Sequence, residues 1–307
     1  MRGYEGGPPG GGAFVLERAE PLTATRTNRG VGAGGAAGGR CFATRRHDAK
    51  YKALKEHNKN IFCRHAGFGL NSRIAMMRAM LSVIIPTLNA GKTLNRTLVP
   101  AAVCGLVRDV IVVDGGSSDN TREIVEAAGA TFVEAPKGRG TQLAAGAARA
   151  RGNWLLFLHA DTVLEPGWVG EVETFLEQIG SGHFPDHEMA AAFRFSLDDF
   201  STRARFLERM VALRCALMRL PYGDQGLLVN RRLYERVGGF REWPLMEDVD
   251  LVRRIGRRRL IMFRTRALTS PARYLDKGFA ARSLRNLFCL TLYYLHVPPR
   301  VIARIYG

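Results

Sequence analysis

The residues best suited to chemistry are Asp114 and Asp161, each at the end of an apolar run, with Lys137 and Arg139 between them in Pro136-Lys137-Gly138-Arg139-Gly140. A carboxylate accepts from an N–H or a hydroxyl, and two nearby cations suit a diphosphate. Gly115 and Gly116 let backbone approach a ring or sugar closely. A second carboxylate adds a hard oxygen ligand. Mg²⁺ or Mn²⁺ needs only one or two protein carboxylates when phosphate oxygens and water complete its shell. Together these residues describe a site for a nucleoside diphosphate and a divalent cation.

Such residues must be held on a common edge, and the flanking sequence predicts one. Ser82-Val83-Ile84-Ile85-Pro86-Thr87-Leu88-Asn89 is a β-branched apolar run stopped by proline and polar residues, as in a strand buried on both faces. Val110 to Val113 repeats the pattern and leads into Asp114-Gly115-Gly116-Ser117-Ser118-Asp119-Asn120-Thr121 and a helical stretch to Ala128. Strand, helix and strand at this spacing form a parallel βαβ unit. A third strand is expected over 131–134, an alanine-rich helix over 141–151 and a fourth strand over 154–158, which runs into His159-Ala160-Asp161-Thr162. The fold class is therefore α/β, a mostly parallel nucleotide-binding sheet flanked by helices. Its carboxyl edge, where open parallel sheets bind ligands, carries Asn89, Asp114, Lys137, Arg139 and Asp161.

At these residues the chain resembles family 2 glycosyltransferases of the GT-A fold. The resemblance rests on SVIIPTLN, VVDGGSSDNT, KGRGTQ, HADT and a later EDVDL, in matching order, over roughly residues 80–300. It is nearest to small bacterial members with HADT in place of Asp-x-Asp. The resemblance implies a nucleotide-sugar site made of Pro86, Thr87, Asn89, Asp114, Gly116, Ser117, Lys137, Gly138, Arg139 and Gln142. It also implies a metal held by Asp161, with His159 either a ligand or a residue that positions Asp161. Ala90-Gly91 stand where many relatives have an acidic residue, a change that bears on the base contact.

The second half begins with a helix signal at Pro166 to Leu176, then an expected strand over 190–197 and a helix over 203–220. That helix combines Phe206, Leu207, Met210, Val211, Leu213 and Leu217 with five arginines. Pro221 to Gly226 precedes a short strand over 227–230 and a helix ending near Gly238. Met246-Glu247-Asp248-Val249-Asp250-Leu251 opens a further helix, with Leu251, Val252 and Ile255 inward and Arg253, Arg254 and Arg257 toward water. The resemblance places Asp224 and Gln225 beside the transferred sugar or acceptor. It makes Asp248, with Glu247 next to it, the catalytic pair, Asp248 taking the proton of an acceptor hydroxyl or carboxyl. One base and one displacement imply inversion at the anomeric carbon.

Composition bounds the remainder. The chain has 307 residues, 46% of them hydrophobic, and a net charge of +17. Residues 1–79 carry 14 Lys+Arg against 5 Asp+Glu, about half of the excess, and 12 of the 34 glycines fall before residue 41. That leader is expected to be disordered, because it cannot bury enough apolar surface to offset ordering entropy. It lacks the apolar core of a signal peptide, and Met76, Met77 and Met80 offer alternative starts. The domain itself is expected over 80–307: a nucleotide-binding half to about 165, an acceptor half to about 283, and an amphipathic helical segment over 284–307. Five cysteines without paired metal spacing fit a reducing, cytoplasmic compartment. The basic, amphipathic helix over 203–220 and the C-terminal segment raise a lipid-like acceptor and peripheral contact with the inner face of a membrane. Two other functions compete. A nucleotidyltransferase would open on a Gly-x-Gly loop, unlike Pro86-Thr87-Leu88-Asn89. A nucleic-acid-binding protein would use the positive charge, but the core lacks an aromatic-basic stacking surface, so no specific nucleic acid is expected.

Overall fold

A computed structural model of the chain describes residues 80–102, 104–184, 187–272, 274 and 278–306, so the expected leader lies outside the described residues. Strands β1 (Leu81–Thr87), β2 (Val107–Asp114), β3 (Thr131–Glu134) and β4 (Trp154–Phe157) are parallel neighbours. The sheet continues through β5 (Thr162–Leu164), β6 (Ala190–Leu197), β7 (Leu227–Asn230) and β8 (Leu260–Thr269) in the order β3-β2-β1-β4-β7-β6-β8-β5. β7 runs antiparallel to both β4 and β6, while β6 and β8 are parallel. The start of β7 therefore lies beside the end of β4, with Leu227 opposite Phe157. This pairing brings the Tyr222–Gly226 turn to the edge that carries Asp161. The fold is α/β as expected, with the parallel half of the sheet completed by a mixed half.

The helices are α1 (Leu94–Ala102), α2 (Thr121–Ala127), α3 (Arg139–Arg149), α4 (Trp168–Gly180), α5 (Thr202–Met218), α6 (Arg231–Arg236), α7 (Glu247–Ile255), α8 (Phe279–Tyr294) and α9 (Pro299–Tyr306). Alternation along β1 explains the two layers. Val83 and Ile85 face α1, α2 and α4, whereas Ile84 faces α3, α6, α7 and α8, and all three are fully buried. Burying each such side chain contributes about 1.5–3 kcal/mol. Close contact fixes α3 in particular: a Cβ on Gly146 would stand 2.4 Å from Ile84 Cγ2, and one on Gly140 would stand 2.1 Å from the Arg241 carbonyl oxygen. The first turn of α3 is thus pressed against the segment that leads into α7.

Several boundaries differ from expectation. α3 starts at Arg139 rather than Thr141, since Gly138 adopts φ +152° and the chain turns helical directly after it. Pro166 stands outside α4, which begins after Gly167 in the left-handed region. The expected C-terminal helix is two helices, because Pro298 and Pro299 cannot continue the hydrogen-bond ladder of α8. Arg254 does not face water as the helical pattern suggested. It pairs with buried Asp250 at 2.5 Å and donates to the carbonyls of Val237 and Gly239.

Candidate active site

The ends of β1 and β2 carry a tightly cross-linked pair of loops. Asp114 is 3% exposed. Its Oδ1 accepts from Thr87 Oγ1 at 2.9 Å and Ser117 Oγ at 2.5 Å, and its Oδ2 accepts from the Gly116 and Ser117 N–H groups at 2.9 and 2.6 Å. Burial alone would raise this carboxyl, but the hydrogen bonds from Ser117, Thr87 and Gly116 hold it below the usual carboxylate range. Gln142 reaches across from α3, its Nε2 donating to the carbonyls of Thr87 and Val113 at 2.7 and 2.8 Å. Asn89, at φ +51°, accepts from the Ser118 N–H and donates its own N–H to Ser117 Oγ. Gly116, at φ +94°, opens the turn. The outcome is a hollow of about 600 Å³ lined by Asp114, Gly115, Gly116, Ser117 and Lys137. At Ala90-Gly91, Ala90 is buried and the Gly91 N–H donates to Asp119 Oδ2 at 2.8 Å.

Beside this hollow lies a crevice lined by Arg139, His159, Asp161, Gly223, Asp224, Glu247 and Asp248. An adjoining smaller pocket, which shares Arg139, His159, Gly223 and Asp248 with it, is also lined by Pro86. His159 contacts Asp161 through Nδ1, and both side chains are largely buried. Asp248 Oδ2 accepts from the Gly223 N–H at 2.7 Å and Oδ1 from the Val249 N–H at 2.7 Å. The cap of α7 is Met246 in the left-handed region, without a side-chain cap bond, so Asp248 lies inside the first turn and not at the cap. Three acidic residues in that turn suit the positive end of the helix dipole.

The structure separates the two cations that the sequence pairs. Lys137 is exposed at the rim of the hollow, whereas Arg139 points among the carboxylates, its Nε 3.2 Å from Glu247 Oε1. Burial works against the Arg139 charge, but Glu247, Asp248, Asp224 and Asp161 outweigh it and raise its pKa. Burial pushes Glu247 up to about 7 despite Arg139, and Asp224 up to about 6 despite Arg214 and Arg139. Gln225 is committed to the fold, accepting from Arg214 and the Tyr222 N–H and donating to the Phe193 carbonyl.

Among the described residues no three His, Cys, Asp or Glu side chains form a metal cage. The donor set here fits a hard cation that draws most of its oxygens from phosphate and water, with Asp161 as the protein carboxylate. Tyr222, Gly223, Tyr274, Arg282, Asn286 and Tyr306 also line the crevice, and the sequence reading did not single them out as site residues. Only Gly223 had a local signal, since a turn glycine before an acid often marks close approach; a Cβ there would stand 2.4 Å from an Arg139 guanidinium nitrogen.

Residues 82–212 match the family model described as glycosyl transferase family 2. Among solved structures, the chain is similar to residues 1–349 of S. aureus TarS, at 16% identity over 68% of this chain and 64% of that one, with a TM-score of 0.49. A mycobacterial protein gives 20% identity over 76% and 81% of the two chains, with a TM-score of 0.48. Glucosyl-3-phosphoglycerate synthase from Mycobacterium tuberculosis, crystallised with Mn²⁺, UDP and glucosyl-3-phosphoglycerate, gives 18% over 76% and 87%, also with a TM-score of 0.48. The chain spans less than two thirds of the TarS structure it matches first. No curated protein matches the sequence.

Proposed function

We propose that this glycosyltransferase moves a sugar from a nucleoside-diphosphate sugar to a hydroxyl or carboxyl acceptor, with inversion at the anomeric carbon and with Mg²⁺ or Mn²⁺ bound at Asp161. The observation that carries the reading is the convergence of Asp161, Asp224, Asp248 and Arg139 in one crevice beside the Asp114 hollow. The hollow takes the nucleoside, with Lys137 at its rim toward the diphosphate. The acceptor oxygen attacks the anomeric carbon while the bond to the diphosphate oxygen breaks, and the acceptor proton passes to Asp248. Asp248 is aimed by the Gly223 and Val249 N–H groups. Arg139 faces the charge that develops on the leaving diphosphate, a preorganised cation in a partly dry site. When bound, the divalent cation supplies further charge stabilisation there. His159 stands where relatives have the first acid of the metal motif, and its contact with Asp161 supports a positioning role.

The test is thermal-shift binding of UDP, GDP and dTDP with and without Mn²⁺, on the native chain and Asp161→Ala, because a ligand of the native state raises its melting temperature. A Mn²⁺-dependent shift for one nucleotide, lost in Asp161→Ala, identifies the donor class. No shift for any nucleotide would sink the reading.

A further inference from the structure

An apolar groove of about 1140 Å³ runs between α5 and α8 and ends at the crevice. α5 lines it with Phe206, Met210, Leu213 and Leu217, and α8 adds Leu287; these side chains are 47–65% exposed. Helix faces of this kind are normally covered, since monomeric proteins rarely leave a contiguous apolar patch of this extent open to water without using it. The groove is not isolated. Tyr222, Asp224, Tyr274 and Asn286 line both it and the crevice that holds Asp248. At that junction Asp224 Oδ1 is buried with no hydrogen-bond partner among the described residues. An unpaired buried acceptor is costly and calls for a donor.

We propose that the groove holds the hydrocarbon body of the acceptor, an amphipathic alcohol whose hydroxyl donates to Asp224 on its way to Asp248. The inference rests on the glycosyl-transfer reading and adds the acceptor class to it. A mostly apolar pocket with one or two convergent polar groups at its end is the usual form of a site for a small amphipathic ligand. A bilayer or a second copy of the chain would cover the rims formed by α5 and α8 but would not deliver a hydroxyl to Asp224. Leu284 and Phe288, on the same helix, are 66% and 53% exposed but do not line the groove, so they separate occupancy of the groove from adhesion of the helix.

The experiment titrates the full chain with 1-hexanol, 1-octanol and 1-decanol by calorimetry in the absence of nucleotide. Affinity is expected to rise about fourfold per added methylene, as hydrocarbon burial requires. Leu213→Glu combined with Leu287→Glu should abolish that dependence, while Leu284→Glu leaves it intact. A cooperative melting transition of each variant without ligand checks that the fold survives the substitutions, and thermal shifts with UDP, GDP and dTDP are read separately. Absence of chain-length dependence overturns the proposal. Equal weakening by Leu284→Glu, together with equal loss of sedimentation with anionic vesicles, assigns the surface to a membrane and also overturns it. So does a dimer by sedimentation velocity that Leu213→Glu converts to monomer. Alkanol binding without any nucleotide shift leaves the groove standing and removes the glycosyl-transfer reading; a nucleotide shift without alkanol binding does the reverse.

Discussion

The hollow around Asp114 and the crevice around Asp248 share one sheet edge but are built on opposite principles. Around the hollow the polar side chains that shape it are spent on other parts of the protein: Asp114 on four donors, Gln142 on two carbonyls, Asn89 on the Ser117–Ser118 turn. In the crevice four carboxylates surround the Arg139 guanidinium, with Arg214 acting on Asp224 and Arg282 also in the lining, and burial pushes two of the four toward neutrality. The first region is rigid before a ligand arrives. The second crowds carboxylates together in a partly buried space, where desolvation and mutual repulsion favour protonation of two of them. Preorganised shape and crowded carboxylates thus occupy adjacent sites, which suits a reaction in which the nucleotide only needs to be held while charge moves at its far end.

The sharpest way to break this comparison is Asp248→Asn, which keeps the shape and removes the base. Turnover with the nucleotide sugar chosen by the binding screen should fall about 10²–10⁴-fold, while nucleotide affinity stays within about twofold. Loss of nucleotide binding instead would mean that the crevice, too, is a shape-holding element. Next in size is Arg139→Met, which leaves Glu247 buried without its partner. Breaking a buried pair costs about 3–5 kcal/mol. Because the Arg139 side chain is 37% exposed, solvent screening should reduce this to about 2–3 kcal/mol. Urea unfolding of the double variant with Glu247→Gln should recover most of the loss; no recovery would show that the two residues do not act as a pair.

Gln142→Leu probes the hollow. It strips a donor from the carbonyls of Thr87 and Val113 and should cost about 1–3 kcal/mol in urea unfolding. Weakened nucleotide binding is expected to accompany it, because the turn that Gln142 braces shapes the hollow. The smallest effect is a pH dependence. Glu247 in the native state titrates near 7, above its ordinary 4.5, so between these values the native chain keeps a proton that the unfolded chain has lost. Its contribution to stability is present below pH 4.5 and is lost as pH rises through about 7. Melting temperature should therefore fall across that window, and Glu247→Gln should flatten the fall. An unchanged slope in the variant would assign the retained proton elsewhere.

Much of this was legible in the chain, for identifiable reasons. Buried parallel strands read as uninterrupted apolar runs, so β1, β2 and β4 stand out, and Asp114, at the end of β2, and Asp161, after β4, fall on one edge. β8 did not stand out because Arg264 and Arg266 interrupt it, and β5 is only three residues long. Asp161, Asp224 and Asp248 were visible one at a time. The surroundings of Arg139 were not legible, since spacing put it beside Lys137 while Glu247, its ion-pair partner, is remote in sequence. That Gln225, expected beside the sugar or acceptor, also holds the Tyr222 turn had no local signal.

The sequence by itself determined the parallel half of the sheet and the acids on its carboxyl edge, because strand periodicity and turn chemistry act over a few residues. Only the tertiary structure decided which charges meet. Gly140 lets α3 pack on the backbone at Arg241 and Trp243, and that contact, between segments far apart in the chain, turns Arg139 into the carboxylates. The return of α8 past α5, which leaves the groove ending at Asp224, is likewise a product of long-range packing that no local pattern encodes.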